Sequence, residues 1–160
     1  MELDRIDFDI VGALQKDARI SNKDLAAHAK IAPSTCLERV RRLREGGVLR
    51  GFHADVDPEA LGIGVQAMID VQLTQHSREM VDRFADYALG VEEVIGLSHI
   101  TGARDFVLHV VVRDTDHLRD LLLDRFTTRE EVTRLETHIL FYHHWKSSLP
   151  AYRDEGRSRR

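Results

Sequence analysis

The sequence predicts an α+β protein: three short helices, then a β-α-β-β-α-β sandwich in which two helices cover one face of an antiparallel sheet. Three observations predict it. Apolar residues recur at helical spacing as far as Leu43. Beyond Val65, apolar and β-branched runs alternate with two capped, amphipathic stretches. Between the halves, Pro58 to Gly64 carries two glycines and reads as a bendable linker.

Each element has its own signal. Asp4 caps a first helix running to about Lys16, with Ile6, Ile10, Val11 and Leu14 on its inner face. Ser21-Asn22-Lys23-Asp24 resembles a capping box with Asp in place of Glu, and opens a second helix carrying Leu25, Ala26 and Ala29. Lys30-Ile31-Ala32 is a short turn. Pro33 suits the first position of a third helix, where its missing N–H costs nothing. Leu37, Val40 and Leu43 form that helix's inner stripe, and Gly46-Gly47 stops it. Val48 to Val56 reads as a strand, ended by Asp57-Pro58.

In the second half, Val65 to Leu73 is a strand. Ser77 caps a helix with Met80, Val81, Phe84 and Ala88 on one face, and Gly90 ends it. Val91 to Thr101 is a strand, Gly102 to Asp105 a turn, and Phe106 to Val112 a buried strand. Thr115 or Asp116 caps a second helix with Leu118, Leu121, Leu122 and Phe126 inside. Val132 to Trp145 is a long final strand in which Leu135, Thr137, Ile139, Phe141, His143 and Trp145 alternate as core or subunit interface. If the helix-free face of the sheet is apolar, a second sheet must cover it, which predicts a dimer. Arg153 to Arg160 is polar and frayed. The division expected is 1–62 for the first domain and its linker, 63–150 for the second, and 151–160 for a polar tail.

Composition narrows the class. The chain has 160 residues, 42% hydrophobic and 31% charged, as in globular domains. No apolar run approaches the ~20 residues of a membrane span. The acidic start Met1-Glu2-Leu3-Asp4 lacks the features of a signal peptide, so a cytoplasmic, nucleoid-associated protein is expected. Cys36 is the single cysteine, which excludes an internal disulfide and a cysteine-built zinc site. The net charge is −4, but its distribution is uneven. Lys30, Arg39, Arg41, Arg42, Arg44 and Arg50 face only Glu38 and Glu45 between residues 30 and 50. A basic stripe within an acidic whole is the footprint of a DNA-binding regulator.

The third helix carries the chemistry. A helix-turn-helix needs two short helices, a tight turn, and a second helix able to enter a major groove. Ser34 and Thr35 stand at its start, where side chains reach base edges and phosphates. Thr35, Arg39 and Arg42 share a face, and an arginine there can hold guanine O6 and N7. Arg41, Arg44 and Arg50 suit phosphates, and Glu38 lies among them. The bland alternative is a solvated face of an ordinary bundle helix. Cys36 could be a redox thiol near a helix start, but its neighbours in phase favour a packed residue. His138, His143 and His144 on the last strand, with His99 and His109 nearby, could suggest a metal. Period two puts only His138 and His144 on one face, too far apart to chelate, so no metal is expected.

These residues resemble a known family. Leu3-Asp4-Arg5-Ile6-Asp7, Leu14 to Asn22, Cys36 to Leu43 and Gly47 to Phe52 are similar to the leucine-responsive and asparagine-operon regulators, the Lrp/AsnC family, over nearly the whole chain. The resemblance implies a winged helix-turn-helix, a β-linker, and a ferredoxin-like (RAM/ACT-like) regulatory domain. It implies homodimers assembling to tetramers or octamers, double-stranded DNA as partner, no cofactor, and an amino-acid effector bound between subunits. The effector loop is similar to Thr101-Gly102-Ala103-Arg104-Asp105. Gly102 and Asp105 match the family pattern, while Ala103 replaces an acid and Arg104 an aromatic residue. Asp105 offers a carboxylate to a ligand ammonium group, and Arg104 meets a ligand carboxylate or fills the pocket. A plain hairpin turn is the alternative, since Gly and Asp favour turns. A ligand-independent architectural DNA binder is the second functional reading. An enzyme ranks last, since no nucleophile–base pair or paired carboxylates stand out.

Overall fold

The computed structural model describes residues 1–75, 77–146 and 148–152. The tail expected at 153–160 lies outside them. The chain forms two compact units: Met1–Asp55 with the described residues from His144 on, and Val56–His143. Among the described residues no helix is long and apolar enough to cross a membrane.

The first unit holds α1 (Arg5–Lys16), α2 (Asn22–Ala29) and α3 (Pro33–Glu45). Asp4 closes a full capping box with Asp7 at the start of α1. Ser21 caps α2 by accepting from the Asp24 N–H. Between α2 and α3 the chain turns on Lys30, which takes the left-handed conformation at φ 56°. The Asn22 side chain donates to the Pro33 carbonyl at 2.9 Å and fastens the start of α3. Ile10, Leu25, Cys36 and Leu43 form the buried centre. The inner stripe of α3 is therefore Cys36, Val40 and Leu43, an i, i+4, i+7 set, and Leu37 is 62% exposed. That corrects the expected stripe by one position. Gln15 and Leu149 exchange hydrogen bonds, so the segment after His144 returns to α1.

Val48 to Val56 does not form the expected strand. The Val48 and Leu49 N–H groups both turn back to the Leu43 carbonyl, and both side chains rest on the helical core. From Arg50 the backbone finds no neighbouring strand among the described residues, and a strand exists only through a ladder.

The second unit contains β1 (Val65–Leu73), α4 (Arg78–Leu89), β2 (Val94–His99), β3 (Phe106–Val112), α5 (Thr115–Leu121) and β4 (Val132–Ile139). A single 3-10 turn at Glu59–Leu61 precedes them. The sheet is antiparallel in the order β2-β3-β1-β4. Ile69, Val71, Phe84, Phe106, Leu108 and Phe126 are fully buried between the sheet and its helices. Asp114, and not Thr115 or Asp116, caps α5, with its carboxylate accepting from the His117 N–H at 2.8 Å. A π-helical turn at Leu122–Thr127 follows. Its wide turn lets Phe126, five residues after Leu121, face the core. Gly64 approaches the Arg113 carbonyl so closely that a Cβ would lie 2.4 Å from its oxygen, and only glycine fits there.

Two strands are shorter than expected. Val91 to Glu93 forms a turn after α4, so β2 starts at Val94. β4 ends at Ile139 because its neighbour β1 begins at Val65, and Leu140 makes the last bond, to Gln66. Phe141, His143 and Trp145 thus leave the alternation, and Phe141 is fully exposed. The helix-free face is not the apolar surface considered above: Gln66, Asp70, His109, Glu136 and His138 lie on it.

Candidate nucleic-acid interface and effector loop

Helix α3 divides its side chains sharply. Cys36 and Leu43 are wholly buried, and burial raises the Cys36 thiol pKa, which suits packing and not redox chemistry. Ser34, Thr35, Leu37, Glu38, Arg41 and Arg44 are exposed on the other side, with Arg50 just beyond. Arg41 lies between two acids, 2.6 Å from Glu38 and 3.0 Å from Glu45. Its hydrogen bond holds the Glu38 carboxyl below the usual range. Exposed pairs of this kind are weak and exchange readily. Arg44 and Arg50 have no ion pair among the described residues.

Arg39 and Arg42 are placed differently from the face sharing that spacing suggests. Both turn to the fully buried Asp7 of α1. Arg39 Nη1 lies 2.8 Å from it and 2.7 Å from Asp4; Arg42 Nη2 lies 2.7 Å away. The Asp4 carboxyl is held low, first by the Asp7 backbone N–H and then by the Arg39 guanidinium. The two arginines expected at base edges thus join α3 to α1, because the buried carboxylate needs charged donors and they are within reach. Leu37, by contrast, stands on the outer face, a placement the expected stripe did not give it. Its signal was available in the sequence: Cys36 is the better fit to the inner stripe, which turns Leu37 outward.

In the second unit, Thr101, Gly102 and Ala103 form an exposed turn with Gly102 at φ 117°. Asp105 is buried, and its carboxylate accepts from the Leu73 N–H at 2.7 Å. Its own N–H donates to Val71 and its carbonyl accepts from Ile100. Asp105 therefore fastens the β2–β3 loop to β1. Arg104 donates to Glu136 at 2.5 Å and to the Ala103 carbonyl at 3.2 Å, and it lowers the Glu136 pKa. Its Nε is buried with no hydrogen-bond partner among the described residues.

The histidines do not sit as strand alternation suggests. His138 Nε2 is 3.5 Å from Asp70. His143, beyond the end of β4, stands against His109 with ring centroids 4.9 Å apart. Among the described residues no three His, Cys, Asp or Glu side chains converge as metal ligands do.

Two family models match the chain. Residues 3–50 match the family model for winged helix-turn-helix DNA binding, and residues 66–149 match that for the Lrp/AsnC ligand binding domain. The chain is 43% identical to the transcriptional regulator AldR of Mycolicibacterium smegmatis, over 89% of this chain and 83% of AldR. It is 31% identical to the leucine-responsive regulatory protein of Escherichia coli, over 87% of this chain and 85% of that protein. A transcriptional regulator from Neisseria meningitidis, solved as a complex with L-Met, has the same fold with a TM-score of 0.85 and 27% identity, covering 93% of this chain and 97% of that one.

Proposed function

Because the chain belongs to the Lrp/AsnC family of DNA-binding transcription regulators, we propose that it reads operator DNA through the exposed face of α3 and responds to an amino acid or related metabolite held at the loop 101–105 between subunits. Residues 1–62 form the DNA-binding domain and linker, and residues 63–150 the regulatory and assembly domain.

The observation that carries the DNA part is the division of α3. An inner stripe with Cys36 and Leu43 wholly buried fixes the helix, and its opposite face offers hydroxyls at Ser34 and Thr35, a carboxylate at Glu38 and guanidiniums at Arg41 and Arg44. Hydroxyls can bond any base edge, a carboxylate accepts from cytosine N4, and an exposed apolar side chain such as Leu37 suits a thymine methyl. Arg44 and Arg50 serve phosphates, which fix position without reading sequence. The effector part is supported by the unpaired Arg104 Nε, a buried cationic donor suited to a carboxylate. The L-Met complex of the Neisseria regulator supports an amino acid as the ligand class.

Binding-site selection from a random duplex pool tests the DNA reading. The full-length protein is expected to enrich a partly palindromic site with half-sites about one helical turn apart. The variant Ser34→Ala/Leu37→Ala/Glu38→Ala should enrich no such site while keeping sequence-independent binding. The same consensus from that variant would remove this face of α3 from recognition.

A further inference from the structure

Asp7 is a carboxylate without exposed surface at the start of α1, and two arginines of α3 converge on it. Arg42 Nη2 lies 2.9 and 2.7 Å from its two oxygens, and Arg39 Nη1 lies 2.8 Å from Oδ1. The Asp4 N–H donates to Oδ2 at 3.2 Å, so both oxygens are fully engaged. Guanidiniums bind phosphate with the same charge-assisted bonds. Asp7 and a DNA phosphate therefore compete for the same two side chains. The competition is unequal: if the arginines left, the buried Asp7 carboxylate would lose both of its cationic partners at once. The exposed pairs of Arg41 with Glu38 and Glu45 put no such penalty on release.

We propose that Asp7 is an internal substitute for phosphate, which withholds Arg39 and Arg42 from the DNA backbone and so limits the affinity of α3 for DNA of any sequence. The basic stripe read from the sequence is then smaller in effect than in composition. Arg41, Arg44 and Arg50 attract phosphates, while Arg39 and Arg42 hold the unit together. A regulator must leave non-specific DNA to find its operator, and each withheld guanidinium lowers the non-specific contribution. Asp7 is thus a positioning residue: it acts on DNA through the arginines it holds.

The proposal rests on the reading of α3 as the DNA helix, and the test separates the two. Full-length protein is titrated with a random-sequence duplex across a salt series, and the slope of log K against log salt is measured. Each phosphate neutralised contributes about 0.9 to that slope. Arg44→Gln is expected to lower its magnitude by about 0.9, and Arg42→Gln to leave it unchanged. Asp7→Asn is expected to raise it by about 0.9 to 1.8 and to tighten binding at low salt. If Arg42→Gln lowers the slope as much as Arg44→Gln, or if folded Asp7→Asn leaves it unchanged, the proposal is overturned and α3 remains the DNA helix. If Arg44→Gln and Arg41→Gln both leave the slope unchanged, the reading of α3 itself fails. Circular dichroism establishes folding, and should Asp7→Asn not fold, the comparison of Arg42→Gln with Arg44→Gln decides alone.

Discussion

At the scale of single residues, Asp105 and its neighbour Arg104 are held in different ways. A carboxylate in an effector loop looks like a ligand for an ammonium group, yet Asp105 is turned inward onto the Leu73 N–H. Arg104 keeps a buried Nε without an acceptor among the described residues. Thermal unfolding against the twenty amino acids and their keto acids distinguishes the two, since a ligand bound to the folded state raises Tm by mass action. Asp105→Ala is expected to lower Tm with no ligand present, because leaving a buried N–H unpaired costs about 1–3 kcal/mol. Arg104→Ala should keep most of the stability and lose the ligand-induced rise. A full ligand response in Arg104→Ala would take that residue out of the site. No response in the parent protein, with operator binding intact, would favour the ligand-independent architectural reading.

At the scale of elements, strands end where their neighbours end. Val48 to Val56 and Phe141 to Trp145 carry strand-like side chains, but among the described residues a ladder partner is missing for the first and exhausted at Gln66 for the second. Helices depend less on distant residues, and Asp4, Ser21, Pro33, Ser77 and Gly90 mark their ends as the sequence suggests. Strand β3 adds a proton-sensitive point. Burial, and then the neighbouring His143, push His109 below its ordinary value of 6.5. The unfolded chain therefore takes up this proton first as pH falls. Stability is full above pH 6.5 and declines as pH drops from there through the lower folded value. Chemical unfolding between about pH 7 and 5 should show this decline, and His109→Gln should flatten it. An equal decline in His109→Gln would assign the effect to other groups.

At the scale of the whole molecule, each unit has its own core, and the C-terminal segment carries exposed apolar side chains. Phe141, Tyr142 and Trp145 are all highly exposed. Exposed aromatic side chains so close in sequence suit an interface. A second copy of the chain is the occupant we propose, consistent with the dimers, tetramers or octamers expected of the family. Sedimentation of the parent protein should therefore show assembly that strengthens with concentration. Phe141→Ser/Trp145→Ser should shift it toward smaller species without changing helix content. Identical assembly in that variant would place the interface elsewhere.

The sequence by itself determined what depends on near neighbours. The periods of 3.6 and 2, the caps, and the turn residues act within a few positions, so the order of the elements, apart from the strand expected at Val48 to Val56, was legible in the sequence. Only the tertiary structure decided which of the named side chains are available. Arg39 and Arg42 meet Asp7 from 32 and 35 residues away, and Asp105 meets Leu73 across 32. Composition counts a guanidinium as free charge wherever it occurs. Burial decides otherwise, because a carboxylate removed from water keeps the donors that folding brings to it.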